Sequence, residues 1–258
     1  MAAHGLEPKR ALGQNFLIDP NTVDRIVRLS GTAPGDRVVE VGPGLGAMTV
    51  ALAEIADQVV AVELDDTLAA IVSEQTRDHA VRVVNADAMT LRWDEVCPGS
   101  PWRMVANLPY NVGTPMVLDV LDEVPQITDL TVMLQREVAE RLAATVGSQA
   151  YGIPSVKVAY WATAEVVARV PASVFLPRPR VESAVVRIIR RPQPAVEANP
   201  QVMFSLVKQA FGQRRKMLRK SLGGRVDAEG FARAGVKPES RPEELDVLEW
   251  GRLAQSIQ

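Results

Sequence analysis

The chain has 258 residues, 47% of them apolar and 23% charged, which excludes disordered, collagen-like and low-complexity classes. At about 100 to 200 residues per domain, it holds one large domain or one medium and one small. Its 29 Lys and Arg against 31 Asp and Glu leave a net charge of −2, so the total does not announce a nucleic-acid binder. One cysteine, Cys97, and two histidines, His4 and His79, exclude a disulfide scaffold and a Cys- or His-based metal centre. The opening residues contain no signal-peptide-like apolar run, and uncharged stretches such as residues 104–118 are too short for a membrane span, so a cytoplasmic protein is expected.

Residues 19–30 carry Val23, Ile26, Val27 and Leu29 at amphipathic helical spacing, with Asp19 placed to cap and Pro20 in the first turn. Residues 37–41 read as a buried parallel strand running into Gly42-Pro43-Gly44-Leu45-Gly46, and a helix over 48–56 follows. A strand at 58–63, a helix at 68–77 and strands at 81–84 and 103–106 continue the alternation, which predicts a doubly wound parallel α/β sheet. Later strands are expected at 130–135 and 185–189, separated by a helix over 136–145 and a Pro-rich loop over 175–180. Tyr160 and Trp161 fall in a β-like apolar stretch. Three prolines without periodicity mark a linker over 190–200, and four segments beyond it have helical spacing. The expected domains are 1–190, α/β and catalytic, and 191–258, small and all-helical.

Charge is unevenly spread over this layout. From Arg169 to Arg225 there are 13 Lys or Arg and two acids, Glu182 and Glu197; this local +11 leaves the rest of the chain at −13. Such a segment suits a polyanionic partner as well as a solvated surface.

Strand, Gly-rich loop and helix together form a ligand cradle, because glycine admits positive φ and lets a ligand approach the backbone. Gly42, Gly44 and Ala47 satisfy the degenerate dinucleotide pattern, and Glu63 at the end of the second strand suits ribose hydroxyls, so the loop alone does not choose between NAD and S-adenosylmethionine. Two carboxylates favour the latter. Glu40, two residues before the first glycine, suits a cationic ligand and opposes a pyrophosphate; Asp87, after the third strand, can accept from an adenine amine.

The fourth strand runs into Asn107-Leu108-Pro109-Tyr110. An exocyclic base amine is a poor nucleophile, since its lone pair is delocalised into the ring. The Asn107 amide oxygen and the Leu108 carbonyl, held by Pro109, can accept its two N–H bonds and aim the nitrogen at an electrophilic methyl, while Tyr110 offers a stacking face. No general base is needed, because the proton becomes acidic only as transfer begins.

These motifs, with Lys9-Arg10, Gly13-Gln14-Asn15-Phe16-Leu17, residues 135–141, Tyr151-Gly152, residues 175–181 with Ser183, and residues 214–219, resemble the ribosomal RNA adenine N6-dimethyltransferases of the small-subunit, kasugamycin-sensitivity type. The resemblance implies a Rossmann-like S-adenosylmethionine-dependent sheet with a small helical C-terminal domain. It further implies an enzyme that dimethylates two adjacent adenosines near the 3′ end of 16S rRNA, with a role in small-subunit biogenesis; a monomer is the default for an enzyme that docks on so large a particle. Asn15, Leu17, Glu40, Gly42, Gly44, Glu63, Asp87, Ala88 and Asn107 would then bind the cofactor. Tyr110 and Phe175 would sandwich the adenine, and Arg178, Arg214, Arg215, Lys216 and Arg219 would meet RNA. Lys220 and Pro154 depart from the family pattern. The large-subunit enzymes of the macrolide-resistance type share the first half of these motifs, and an assembly factor in which binding outweighs catalysis is a further alternative. An NAD oxidoreductase lacks a His, Lys or Tyr-x-x-x-Lys acid near the crevice.

Overall fold

The computed structural model describes residues 14–99 and 101–257; Lys9, Arg10, Gly13 and His4 lie outside the described residues. The chain divides into two compact units. The first takes the described residues up to Ala139 together with Glu165–Arg190; the second takes Glu140–Ala164 and the residues from Arg191 onward.

Within the first unit, Phe16–Leu17 form a short strand, β1. Helix α1 (Pro20–Ser30) begins as its sequence dictates: the Asp19 side chain accepts the Thr22 N–H at 2.9 Å, and Gly31 ends it with φ 66°. Then come β2 (Arg37–Val41), α2 (Ala47–Ala53), β3 (Gln58–Glu63), α3 (Asp66–Gln75), β4 (Val81–Asn85), a one-turn α4 (Trp93–Val96), β5 (Trp102–Asn107), α5 (Gly113–Glu123) and β6 (Ile127–Gln135). After α6 (Arg136–Leu142) and α7 (Ile153–Trp161) follow β7 (Ala162–Val170), β8 (Phe175–Leu176) and β9 (Ser183–Arg190).

The main sheet has the order β4-β3-β2-β5-β6-β9-β7, parallel from β4 through β6. It is mixed rather than wholly parallel, because β9 pairs antiparallel with β6. The chain runs outward from β2 to β4 and then returns to lay β5 beside β2, so a crevice is expected beyond the carboxyl ends of β2 and β5. Val38, Val39, Val59, Val60 and Ala61 are fully enclosed, as strands covered on both faces require. Residues 175–180 are not purely loop: β8 pairs antiparallel with β1, Leu17 opposite Phe175.

Charge at the amino ends of the strands is paired. Arg103 of β5 donates to Asp36 at 2.7 Å and to Asp129 of β6 at 2.5 Å, and Arg187 of β9 donates to Asp129 at 2.9 Å. Arg190 donates to the carbonyls of Val120, Leu121, Val124 and Ile127, closing the carboxyl end of α5.

The second unit adds α8 (Pro200–Phe211), α9 (Leu218–Ser221), α10 (Ala228–Ala234) and α11 (Val247–Ser256), with Asn199, Asp227 and Asp246 capping the three longer helices. Its core joins Met203, Leu206, Phe231, Trp250 and Leu253 to Tyr151, Val156 and Tyr160. This is why Glu140–Ala164 packs here, although the sequence reading assigns it to the first domain; the passage at Arg190 falls at the start of the Pro-rich segment. Tyr160 and Trp161 end a helix, not a strand: Val156 and Tyr160 are one turn apart on its buried face, and the Tyr160 hydroxyl donates to the Ala198 carbonyl at 2.7 Å. Pro154 occupies the first turn of α7, where its missing N–H costs no helical hydrogen bond. Among the described residues no helix is long and apolar enough to cross a membrane.

Candidate active site

A cavity opens in the first unit at the carboxyl ends of β2, β3, β4 and β5. All nine residues proposed for the cofactor line it: Asn15, Leu17, Glu40, Gly42, Gly44, Glu63, Asp87, Ala88 and Asn107. Leu108, Pro109 and Tyr110 line it too. The parallel register explains the convergence: Val41 is level with Val62 and Ala106, so Glu63 and Asn107 follow one step beyond it on the strands either side of β2.

The turn after β2 is shaped for close approach. Gly42 and Gly44 have φ of 69° and 58°, where side chains are strained. A Cβ on Gly44 would stand 3.0 Å from the Phe16 ring, so the glycine lets β1 close over the loop.

Three carboxylates line the cavity. Glu40 is 1% exposed, and its Oε2 accepts the Thr49 hydroxyl at 2.6 Å. Burial, with a contribution from the Glu63 charge, pushes its pKa up to about 8. Glu63 is also buried, and burial raises its pKa; its Oε2 accepts the Gly44 N–H at 3.2 Å and its Oε1 the Asp65 N–H at 3.0 Å. Asp87 is exposed and accepts the Met89 N–H through Oδ1 at 2.9 Å, a turn contact that leaves Oδ2 for a ligand. No Lys, Arg or His lines this cavity among the described residues. Such a lining opposes a pyrophosphate and fits a cationic nucleoside cofactor, with Glu63 and Asp87 presenting acceptors to hydroxyls and an amine.

Asn107 is oriented from a distance in sequence: its Nδ2 donates to the Asn15 carbonyl at 3.1 Å. Oδ1 is therefore the amide atom left to accept from a substrate. The turn behind it is pinned, for the Leu108 N–H donates to the Met133 carbonyl at 3.1 Å, and the Pro109 carbonyl accepts from Val112 and Gly113. Tyr110 is half-buried, with its hydroxyl 3.0 Å from the Ser183 Oγ.

The structure does not bring Phe175 to this cavity. The ring is 3% exposed and packs in the core with Val23, Ile26 and Val185, because β8 turns it inward when pairing with β1. The sandwich with Tyr110 is not formed in this arrangement. Arg178 is exposed in the loop after β8. Arg214, Arg215, Lys216 and Arg219 are exposed residues of the second unit; Arg214 lies 3.5 Å from Glu243, and Arg219 lies 3.5 Å from Glu239. Sequence reasoning missed Thr49, Phe16, Leu64 and Met89. Thr49 could have been found as a polar residue on the buried face of α2, beside Met48 and Leu52. Leu64 and Met89 are exposed apolar residues lining the cavity.

Sheet order and an acid-lined crevice at the switch point make this a Rossmann-like methyltransferase, and solved structures agree. The 23S rRNA methyltransferase ErmE matches with a TM-score of 0.73 at 28% identity, covering 94% of this chain and 99% of that one. A dimethyladenosine transferase from Plasmodium falciparum has the same fold, with a TM-score of 0.77 at 23% identity over 92% of this chain and 95% of its own. The chain belongs to the ribosomal RNA adenine dimethylase family, whose model matches residues 5–258. It is 45% identical over 267 aligned positions to the ribosomal RNA small subunit methyltransferase A of Streptomyces avermitilis, covering 99% of this chain and 90% of that protein.

Proposed function

We propose that this chain uses S-adenosylmethionine to dimethylate the N6 amines of two adjacent adenosines near the 3′ end of 16S rRNA, acting as a monomer on the small subunit or its precursor. The observation that carries the reading is a cavity with three carboxylates and, among the described residues, no basic one, which ends at Asn107-Leu108-Pro109-Tyr110. When bound, S-adenosylmethionine supplies an electrophilic methyl on a sulfonium centre. The chain does the rest. Glu40 holds negative charge for the cationic cofactor, Glu63 receives ribose hydroxyls, and Asp87 accepts from the cofactor's adenine amine.

On the substrate side, Asn107 Oδ1 and the Leu108 carbonyl accept the two N–H bonds of the target amine. Fixing both draws the lone pair out of conjugation and toward the methyl, a gain of orientation rather than of basicity. The displaced proton leaves to solvent. Tyr110 stacks on the extruded base; Phe175 would reach it only by leaving its core position. Arg178 and the four cations of the second unit contact RNA backbone, which positions the enzyme without reading sequence.

Identity to a protein named for the small subunit is 45%, against 28% to one named for 23S rRNA, and this favours the small-subunit substrate. The test is transfer of labelled methyl from S-adenosylmethionine to small and large subunits that lack the modification, followed by nucleoside analysis. Dimethyladenosine in the small subunit alone, approaching two per particle, is the expected result. Label in the large subunit moves the activity to the resistance type; no label in either, with cofactor bound, makes the chain a binding factor.

A further inference from the structure

Ser183 takes no part in the mechanism above, yet it touches the residue on which the base stacks. Its Oγ lies 3.0 Å from the Tyr110 hydroxyl, and the residue is only 1% exposed. The residues that follow it on β9 are Ala184, Val185 and Val186, all enclosed. A hydroxyl at such a position is costly unless paired, and its partner here is the phenol.

The two ends of this contact differ in freedom. Ser183 sits on the last rung of the β6–β9 ladder, opposite Gln135, and one step further the Arg136 N–H donates to the Glu182 carbonyl at 2.9 Å. Tyr110 belongs to the turn that leads into α5 and can rotate about two side-chain bonds. A strand-mounted hydroxyl at the tip of the ring therefore holds that tip in place and limits how far the side chain can swing.

That placement matters unequally over the two transfers to one amine. In each, the N6 lone pair forms the new N–C bond as the S–C bond of the sulfonium breaks, and an N–H proton goes to solvent. The unmodified amine offers two N–H groups, one for Asn107 Oδ1 and one for the Leu108 carbonyl. The monomethylated amine offers one. With half of its polar anchoring gone, the base relies on stacking to keep the nitrogen in line.

We propose that Ser183 is a positioning residue for the second methyl transfer: it holds the Tyr110 ring in the place that keeps a monomethylated adenine aligned, and so makes the product dimethyladenosine. The inference rests on the proposed function, since it requires an adenine amine methylated twice.

The experiment compares the wild type with Ser183→Ala, Tyr110→Phe, the double variant and Ser183→Thr on small subunits lacking the modification, with labelled S-adenosylmethionine and nucleoside analysis at limited turnover. Each single variant is expected to raise the ratio of monomethyl- to dimethyladenosine about five-fold, with cofactor affinity within about two-fold of wild type. The double variant is expected to go no further than either single, because both remove one contact; Ser183→Thr, which keeps the hydroxyl, restores the ratio. An unchanged ratio in the single variants overturns the proposal, as does a double variant whose losses multiply or a cofactor affinity that falls in step. Tyr110→Phe tests the contact without disturbing β9, so a Ser183→Ala chain that fails to fold does not rescue the idea. A wild-type enzyme that makes no dimethyladenosine on small subunits overturns the functional reading itself, a result separate from any difference among variants.

Discussion

The two ends of one sheet treat carboxylates in opposite ways. At the amino ends, Asp36 and Asp129 are met by Arg103 and Arg187 at 2.5 to 2.9 Å. At the carboxyl ends, Glu40 and Glu63 are enclosed more fully than Asp36, but their partners are a threonine hydroxyl and backbone N–H groups, with no cation among the described residues. Buried charge is tolerated when it is paired and is otherwise suppressed by protonation or held ready for a ligand. The amino end is thus a joint between strands, and the carboxyl end is a candidate site to which, on the proposed function, a cationic ligand would bring the counter-charge.

The largest expected effect breaks the site end. Asn107→Ala should lower methyl transfer about a thousand-fold, because orientation of the amine is the main catalytic contribution of this chain. Cofactor binding, read by thermal stabilisation, should weaken far less, and unfolding without cofactor should be unmoved. A loss confined to cofactor binding would refute the assignment of Oδ1 to the substrate.

The joint end should respond in stability instead. Asp129→Ala strips Arg187 and half of Arg103 of their counter-charge in a partly enclosed place, at a cost of about 3 kcal/mol in urea unfolding. Cofactor affinity of the folded protein should stay as it is. Arg190→Met should cost about 2 kcal/mol, since four carbonyls around the end of α5 lose their donor. If either variant alters cofactor affinity more than stability, the division between the two ends does not hold.

Much of the site was legible because parallel strands deliver their ends to one edge. Glu40, Gly42, Glu63, Asp87 and Asn107 each lie at or just beyond the carboxyl end of a strand, and once the strands are read their meeting is a matter of topology. What escaped depends on contacts that no local period encodes. The pairing of β1 with β8 joins two-residue strands far apart in the chain, and it buries Phe175 where the resemblance expects a stacking face. The Asn15 carbonyl that turns Asn107 is 92 residues away. The Asp36–Arg103–Asp129–Arg187 network joins charges that singly read as surface. Glu140–Ala164 changes unit because Tyr151, Val156 and Tyr160 find their partners after the linker, a preference that apolar residues do not announce.

The subtlest test sharpens the idea that the site end waits for a charge. Burial raises the Glu40 pKa from 4.5 to about 8, so between those values the native state keeps a proton that the unfolded chain has released. Native stability therefore falls as pH rises from about 4.5 to about 8 and levels above that. A Glu40→Gln variant, neutral at every pH, should lose this slope, while Glu63, which burial shifts the same way, keeps its own contribution. A cationic cofactor favours the carboxylate, so its binding expels the proton, and wild-type affinity should gain up to about ten-fold per pH unit below 8 from this group. Glu40→Gln should bind S-adenosylmethionine about ten-fold more weakly at pH 8 and release fewer protons on binding. Calorimetry in two buffers of different ionisation heat reads that difference directly. Equal proton release by the two proteins would mean that Glu40 stays protonated in the complex, and that its carboxyl serves the Thr49 hydroxyl rather than the ligand.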